Sequence, residues 1–178
     1  MKTIKMYECE ISAPIEKEIQ SLLIRSFGSL YPEDRIYFKQ VPHQRFLAYD
    51  GERLVGQVGI DYRIMNLNGK PIKVLGVIDL CVWEECRGKG IATLLLTKVE
   101  EYAIEHRLDF LLLFADVESV YRNNGYRSAT NVCRWLKIDD HHLTSVGVGE
   151  QVVEGLMIKQ IGSTDWEDGV LDFLGYLY

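Results

Sequence analysis

The sequence predicts a mixed α/β fold, a sheet with helices on both faces, and three observations carry that expectation. Two turn dipeptides, Asp50-Gly51 and Asn68-Gly69, separate apolar strand-like runs, the pattern of an antiparallel meander. A strongly helical stretch, residues 91–107, lies between the apolar runs 72–82 and 110–114. The strand after that crossover should run parallel to its partner. The 178 residues, 47% hydrophobic and 26% charged, suffice for a core of their own, so one domain is expected over residues 1–178.

The elements follow in order. Residues 4–11 read as a first strand. Ser12 suits an N-cap and Pro14 the first turn of a helix. In it Ile15, Ile19, Leu22, Leu23 and Phe27 recur at helical spacing until Gly28 ends the run. Residues 31–40 are ambiguous, and Pro32-Glu33-Asp34 can open a second short helix. Strands are expected over 45–49, 54–65 and 72–82. In the helix from Ile91, the side chains of Ile91, Leu94, Leu95, Val99, Tyr102 and Ala103 share one face, and Lys98, Glu100, Glu101 and Glu105 mostly face away. Phe110 to Phe114 is a buried-strand pattern. Residues 117–125 read as a short helix closed by Gly125, a good left-handed C-cap. Late strands are expected over 133–138 and 152–159, with a polar loop over 139–149. The aromatic and leucine-rich stretch 166–178 is too apolar for a free tail; it completes the sheet or lines a pocket.

Composition excludes several classes. The net charge of −6 disfavours nucleic-acid binding, which wants a basic face. It is compatible with a small cationic partner, although acidity also serves solubility alone. No apolar run approaches the ~20 residues of a membrane span. The first residues lack an apolar signal core, so a cytoplasmic protein with no membrane partner is expected. Cys9, Cys81, Cys86 and Cys133 make no Cys-x-x-Cys and no zinc spacing, and read as reduced thiols. Asp139-Asp140-His141-His142 has metal-binding residue types, but adjacent side chains rarely converge on one ion. It reads as a solvated loop, and no metal is expected. His43 and His106 take no role.

The most informative stretch is Arg87-Gly88-Lys89-Gly90-Ile91-Ala92, which joins a strand to a helix start. The first turn of a helix leaves backbone N–H groups unpaired, and the helix dipole adds roughly half a positive charge there. Gly88 and Gly90 keep side chains away, so a phosphate can approach the backbone. Arg87 and Lys89 add full charges. The same residues also read as a plain glycine-rich turn with two solvated cations. Neither G-x-x-x-x-G-K-[ST] nor G-x-G-x-x-G is matched, so a nucleoside triphosphate or NAD is not favoured.

A second motif, Tyr121 with Gly125-Tyr126 four and five residues on, joins the first in the right order. The pair resembles the GNAT superfamily of acetyl-coenzyme A-dependent N-acetyltransferases. In that family's [RQ]-x-x-G-x-[GA] loop, Arg87, Gly90 and Ala92 hold the fixed positions. The two signatures span residues 79–126. The chain's end bears a fainter resemblance to that of aminoglycoside 2′-N-acetyltransferases. The family resemblance implies a mostly antiparallel sheet with a splayed parallel pair, and acetyl-CoA as co-substrate. It implies that Arg87, Gly88, Lys89, Gly90, Ile91 and Ala92 hold the pyrophosphate, and that the backbone of Leu80, Cys81 and Val82 binds the pantetheine arm. One departure is Asp116, where many members carry Asn; an ionised carboxylate there accepts a hydrogen bond but cannot donate one.

The resemblance places Tyr121 as general acid toward the leaving thiolate. Full transfer from an ordinary tyrosine to a thiolate is uphill by about 1.5 pKa units, roughly 2 kcal/mol, a gap that a positive field narrows. A packing aromatic is the plainer reading of the same residue. Asp79 stands inside an apolar strand and is a candidate base, equally readable as a structural hydrogen-bonding residue. Glu84, Glu85 or an ordered water chain are the alternatives. The expected function is acetyl transfer to a primary amine of a small cationic molecule, by direct attack in a ternary complex. The second hypothesis is an acyl-CoA-binding sensor without transferase activity. A homodimer is compatible with either.

Overall fold

Ser12 and Gly28 bracket the first helix as the sequence predicts. The computed structural model describes residues 1–178, the side chain of Leu30 excepted. The helix, α1, is Ala13–Phe27. Ser12 holds the N-cap through its carbonyl, which accepts the Glu16 N–H at 2.9 Å, but its hydroxyl makes no cap bond. Gly28 closes the helix at φ 67, a conformation that costs glycine little. The expected second helix after Pro32 does not form; residues 31–43 are a loop between α1 and the next strand.

The chain divides into two compact units, one of Met1–Asp61 and Val77–Val99, the other of Tyr62–Gly76 and Glu100–Tyr178. In the first, strand β1 (Lys2–Tyr7) is shorter than expected, because residues 8–10 turn into a 3-10 helix. It pairs antiparallel with β2 (Gln44–Asp50), which pairs antiparallel with β3 (Arg53–Leu67). Gly51 makes the β2–β3 turn at φ 61. The core of this unit is Ile19, Leu22 and Leu23 of α1 against Leu47, Leu54 and Cys81.

In the second unit, Asn68 and Gly69 both take positive φ, 52° and 87°, which is the type I′ requirement of a two-residue hairpin between β3 and β4 (Lys70–Val82). Helix α2 (Ile91–Glu105) leads to β5 (Phe110–Phe114), and β5 runs parallel to β4 in the register Val74–Phe110 to Gly76–Leu112. The periodicity of α2 holds: Ile91, Leu95, Val99 and Ala103 are buried at every fourth position. Then come α3 (Ser119–Arg122), β6 (Arg127–Ser128), β7 (Val132–Ile138), β8 (Ser145–Val152), β9 (Leu156–Gln160) and β10 (Val170–Tyr176). The strand order is β6-β9-β5-β4-β3-β10-β7-β8. The fold is thus a mixed sheet, mostly antiparallel, with helices. Among the described residues no helix is long and apolar enough to cross a membrane.

Two late boundaries differ from expectation. The run 152–159 is not one strand but the end of β8 and most of β9, divided at Gly155, whose φ is 78. Half of the expected 139–149 loop is strand, because Ser145 to Gly149 pairs with β7. A glycine-bearing edge strand between polar residues carries little apolar signal, and its valines, Val146, Val148 and Val152, are themselves exposed. At the head of the loop, Asp139 Oδ1 accepts the N–H groups of His141 and His142, so the Asp-His cluster is a tight turn.

The C-terminal stretch completes the sheet: β10 lies between β3 and β7, antiparallel to one and parallel to the other. Beyond it Tyr178 lies over Gly76, where a Cβ would stand 2.0 Å from the ring's Cζ. The ring is held by the Arg63 guanidinium 4.7 Å from its centroid and by Phe173 edge-on at 6.1 Å. Gly76→Ala must displace that ring and should lower stability by about 1–3 kcal/mol in thermal unfolding. In the Tyr178→Ala background the same substitution should cost less than half as much; equal costs in both backgrounds would mean that the ring does not set the need for glycine.

Candidate active site

Trp83 sets the entry to the glycine-rich loop. Its backbone N–H donates to the Val55 carbonyl at 3.0 Å and its indole N–H to the Leu54 carbonyl at 2.8 Å, so the end of β4 is tied to β3. A 3-10 turn, Glu84–Cys86, follows, closed by the Arg87 N–H on the Glu84 carbonyl at 3.1 Å. Gly88 and Gly90 then take φ 75 and 78, where any side chain is strained. At both positions a Cβ would have nothing within 4 Å, so the loop opens onto free space. The Gly90 carbonyl accepts the Leu94 N–H at 2.9 Å, which makes Gly90 the N-cap of α2. The N–H groups of Ile91, Ala92 and Thr93 therefore lie in the first turn of the helix. Arg87 and Lys89 are exposed beside them, with Arg87 Nε also 3.4 Å from the Val82 carbonyl. Glycine clearance, first-turn N–H donors and two cations fit a pyrophosphate.

Immediately upstream, Leu80 is half-buried, and Cys81 and Val82 are buried with side chains in the core. Before them stands the strand's irregularity. Asp79 has φ 51, a left-handed conformation inside β4 that non-glycine residues rarely adopt. Its carbonyl takes a side-chain donor, the Gln57 amide. Its carboxylate Oδ2 accepts the Tyr31 hydroxyl at 2.8 Å. Burial pushes the Asp79 carboxyl above the usual carboxylate range, opposed by the Tyr31 hydrogen bond and the Arg45 charge. Arg45 is fully buried, gripped by Glu8 at 2.7 and 2.9 Å and by Gln57 Oε1 at 2.9 Å, and it also donates to the Ile36 carbonyl. Of the other candidate bases, Glu84 is exposed and Glu85 is bound to Arg53 at 2.5 Å. Burial pushes the Cys81 thiol up to about 12.

Tyr121 belongs to the other unit. It sits half-buried on α3, its ring edge-on to Tyr126 at 5.8 Å. Its carbonyl accepts the N–H groups of Asn124 and Tyr126, which winds the chain tightly through Gly125 at φ 84. Lys159 fastens this turn, donating to the Asn124 carbonyl at 2.9 Å and pairing with Glu100 at 2.7 Å. Asp116 is exposed at the end of β5.

Sequence reasoning missed Tyr31, Arg45 and Gln57. Arg45 and Gln57 carried a signal, polar residues inside otherwise apolar strands, the same signal that singled out Asp79. Tyr31 carried none, because its segment had no periodicity. His43, without a role in the sequence, lies 2.6 Å from the buried Asp61.

A mixed sheet with a parallel β4–β5 pair, and an open glycine turn at the start of the helix between them, are the features expected of the GNAT fold. The family model of the acetyltransferase (GNAT) domain matches residues 15–129, well over half of the sequence, and the chain belongs to that family. No curated protein matches it in sequence. Among solved structures, it is similar to the GNAT family N-acetyltransferase YhbS from Escherichia coli in complex with CoA: 20% identity, TM-score 0.63, with 97% of this chain and 89% of that one covered. A GNAT family acetyltransferase from Brucella melitensis in complex with acetyl-CoA shares 11% identity at TM-score 0.59, covering 96% of this chain and 94% of that one. A probable N-acyltransferase from Enterococcus faecalis shares 18% identity at TM-score 0.60, over 73% of this chain and 33% of that one. This chain therefore spans about a third of the length of that protein. At these identities the likeness is one of fold.

Proposed function

We propose that the chain transfers an acetyl group from acetyl-CoA to a primary amine of a small cationic molecule, within one ternary complex. The observation that carries this reading is the start of α2, where Gly88 and Gly90, both at positive φ, leave open space in front of the first helical turn, with Arg87 and Lys89 exposed beside it. Residues 87–92 hold the pyrophosphate, and the backbone of Leu80, Cys81 and Val82 receives the pantetheine arm. Asp79 accepts the proton that the amine nitrogen sheds as the C–N bond forms. Tyr121 supplies the proton that the sulfur takes as the C–S bond breaks. Both residues are restored by exchange with solvent. A sensor that only bound acyl-CoA would need the loop but not Tyr121, which favours the enzyme.

The acceptor's charge class rests on acids in the two segments outside the signatures: Glu33 and Asp34 early, Asp165, Glu167, Asp168 and Asp172 late. Arg35 and Lys70 partly neutralise this set, lying 3.1 Å from Asp34 and 2.8 Å from Glu167. The test is thiol release from acetyl-CoA against amines, polyamines, aminoglycosides and peptides at two salt concentrations. Cationic small amines should be preferred, with kcat/KM falling several-fold between about 0.05 and 0.5 M salt as screening shortens the field. Preference for neutral or anionic acceptors without a salt effect would remove the charge argument. No thiol release with any acceptor would favour the sensor.

A further inference from the structure

We propose that Tyr31 is a positioning residue for Asp79: the loop after α1 aims the carboxylate that receives the acceptor amine. This rests on the reading of Asp79 as the proton acceptor.

The geometry is local and over-determined. Tyr31 is buried, and its hydroxyl donates to Asp79 Oδ2 at 2.8 Å. One carboxylate oxygen is thereby fixed, and with it the plane and direction of the other. The ring cannot swing away, because it is stacked on Phe27 at 5.8 Å and packed against Phe38 at 6.1 Å. The rest of the loop is pinned by two further bonds to its own carbonyls. Arg45 donates to Ile36, and Arg35 donates to Phe38 at 3.3 Å. From the other side, Gln57 bridges Arg45 Nη1 and the Asp79 carbonyl, so the same buried guanidinium braces both the loop and the left-handed residue it meets. A carboxylate at a strained backbone position would otherwise choose among rotamers; here the strand fixes its base and the loop fixes its tip.

A reacting carboxylate needs such a partner for a second reason. The groups facing Asp79 are Tyr31 from the loop, Arg45 from β2, Glu8 after β1, and Cys81 on β4. Burial and Glu8 favour the neutral acid; the Tyr31 hydroxyl and Arg45 favour the carboxylate that can accept a proton. The phenol itself is pushed well above its usual range by burial and by Asp79, so it remains a donor throughout the working pH range.

Tyr31→Phe keeps the ring and its packing and deletes the bond. Losing a donor to the charged form raises the Asp79 pKa. The acid limb of kcat/KM, where activity appears as Asp79 deprotonates, should move to higher pH by about one unit. The 13Cγ titration of Asp79 in the protein without substrates should move the same way, which needs no activity. In parallel, Asp79→Asn should lower kcat by about a hundredfold or more. If Asp79→Asn is fully active, the base reading fails and Tyr31 loses its role with it. If Asp79→Asn is inactive while Tyr31→Phe leaves both the acid limb and the carboxyl titration unmoved, the positioning role alone is overturned.

Discussion

Replacing Gly90 by aspartate abolishes acetyl-CoA binding while the fold survives. Gly90 is the N-cap of α2, and aspartate is among the best N-cap residues, also favoured by the helix dipole. The helix therefore has no reason to unwind. A side chain at φ 78 costs about 1–2 kcal/mol, a strain that Gly90→Asn carries equally. Only the aspartate adds charge. A carboxylate about 4 Å from a phosphate oxygen, at an effective dielectric near 20, repels it by about 4 kcal/mol. That is roughly a thousandfold in affinity. The carboxylate also occupies the N–H groups that the phosphate would use. Calorimetry should therefore show Gly90→Asn within about tenfold of the parent and Gly90→Asp below detection. If both bind as the parent does, the loop is a turn and nothing more.

Tyr121→Phe should lower kcat by about 10²–10⁴-fold, with acetyl-CoA affinity nearly intact. The substitution removes one oxygen and leaves the edge-on contact with Tyr126, so α3 keeps its packing. A split between kcat and binding is what separates a proton donor from a packing aromatic. A poor leaving group restores the need for the acid, so the loss should shrink with an acyl thioester of lower thiol pKa. Full turnover in the phenylalanine variant would return Tyr121 to the plainer role that its sequence context also allowed.

Much of this architecture was legible from sequence where local rules and tertiary context agree. Asn68-Gly69 can adopt two positive φ values in succession, and few other pairs can, so that hairpin followed from two residues. The run Phe110 to Phe114 is apolar throughout because β5 has a strand on either side, β4 and β9, and four of its five residues are buried. The glycine loop was legible because its shape lies in its backbone, positive φ at Gly88 and Gly90, which glycine announces. Legibility failed where structure comes from partners distant in sequence. β8 is an edge strand held by pairing with β7, and its alternating valines face solvent, so they do not mark a buried face. The environment of Asp79 assembles Glu8, Tyr31, Arg45 and Gln57 from four separate elements. Their spacing in sequence has no period, because hydrogen bonding across a sheet face imposes none.

The buried thiol of Cys81 bears on the order of events in catalysis. Burial holds this thiol well above its ordinary value, up to about 12, so it stays protonated at neutral pH. Thioester exchange needs the thiolate, so the one cysteine on the strand that would carry the pantetheine arm is nearly inert toward acyl transfer. Cys86 and Cys133 are buried too, and Cys9 is exposed in the 3-10 turn after β1. Cys81 therefore offers no ready thiolate to hold an acyl group between two half-reactions. The proposed direct attack in a ternary complex needs no acyl-cysteine, and in it release of the first product waits for the arrival of the second substrate.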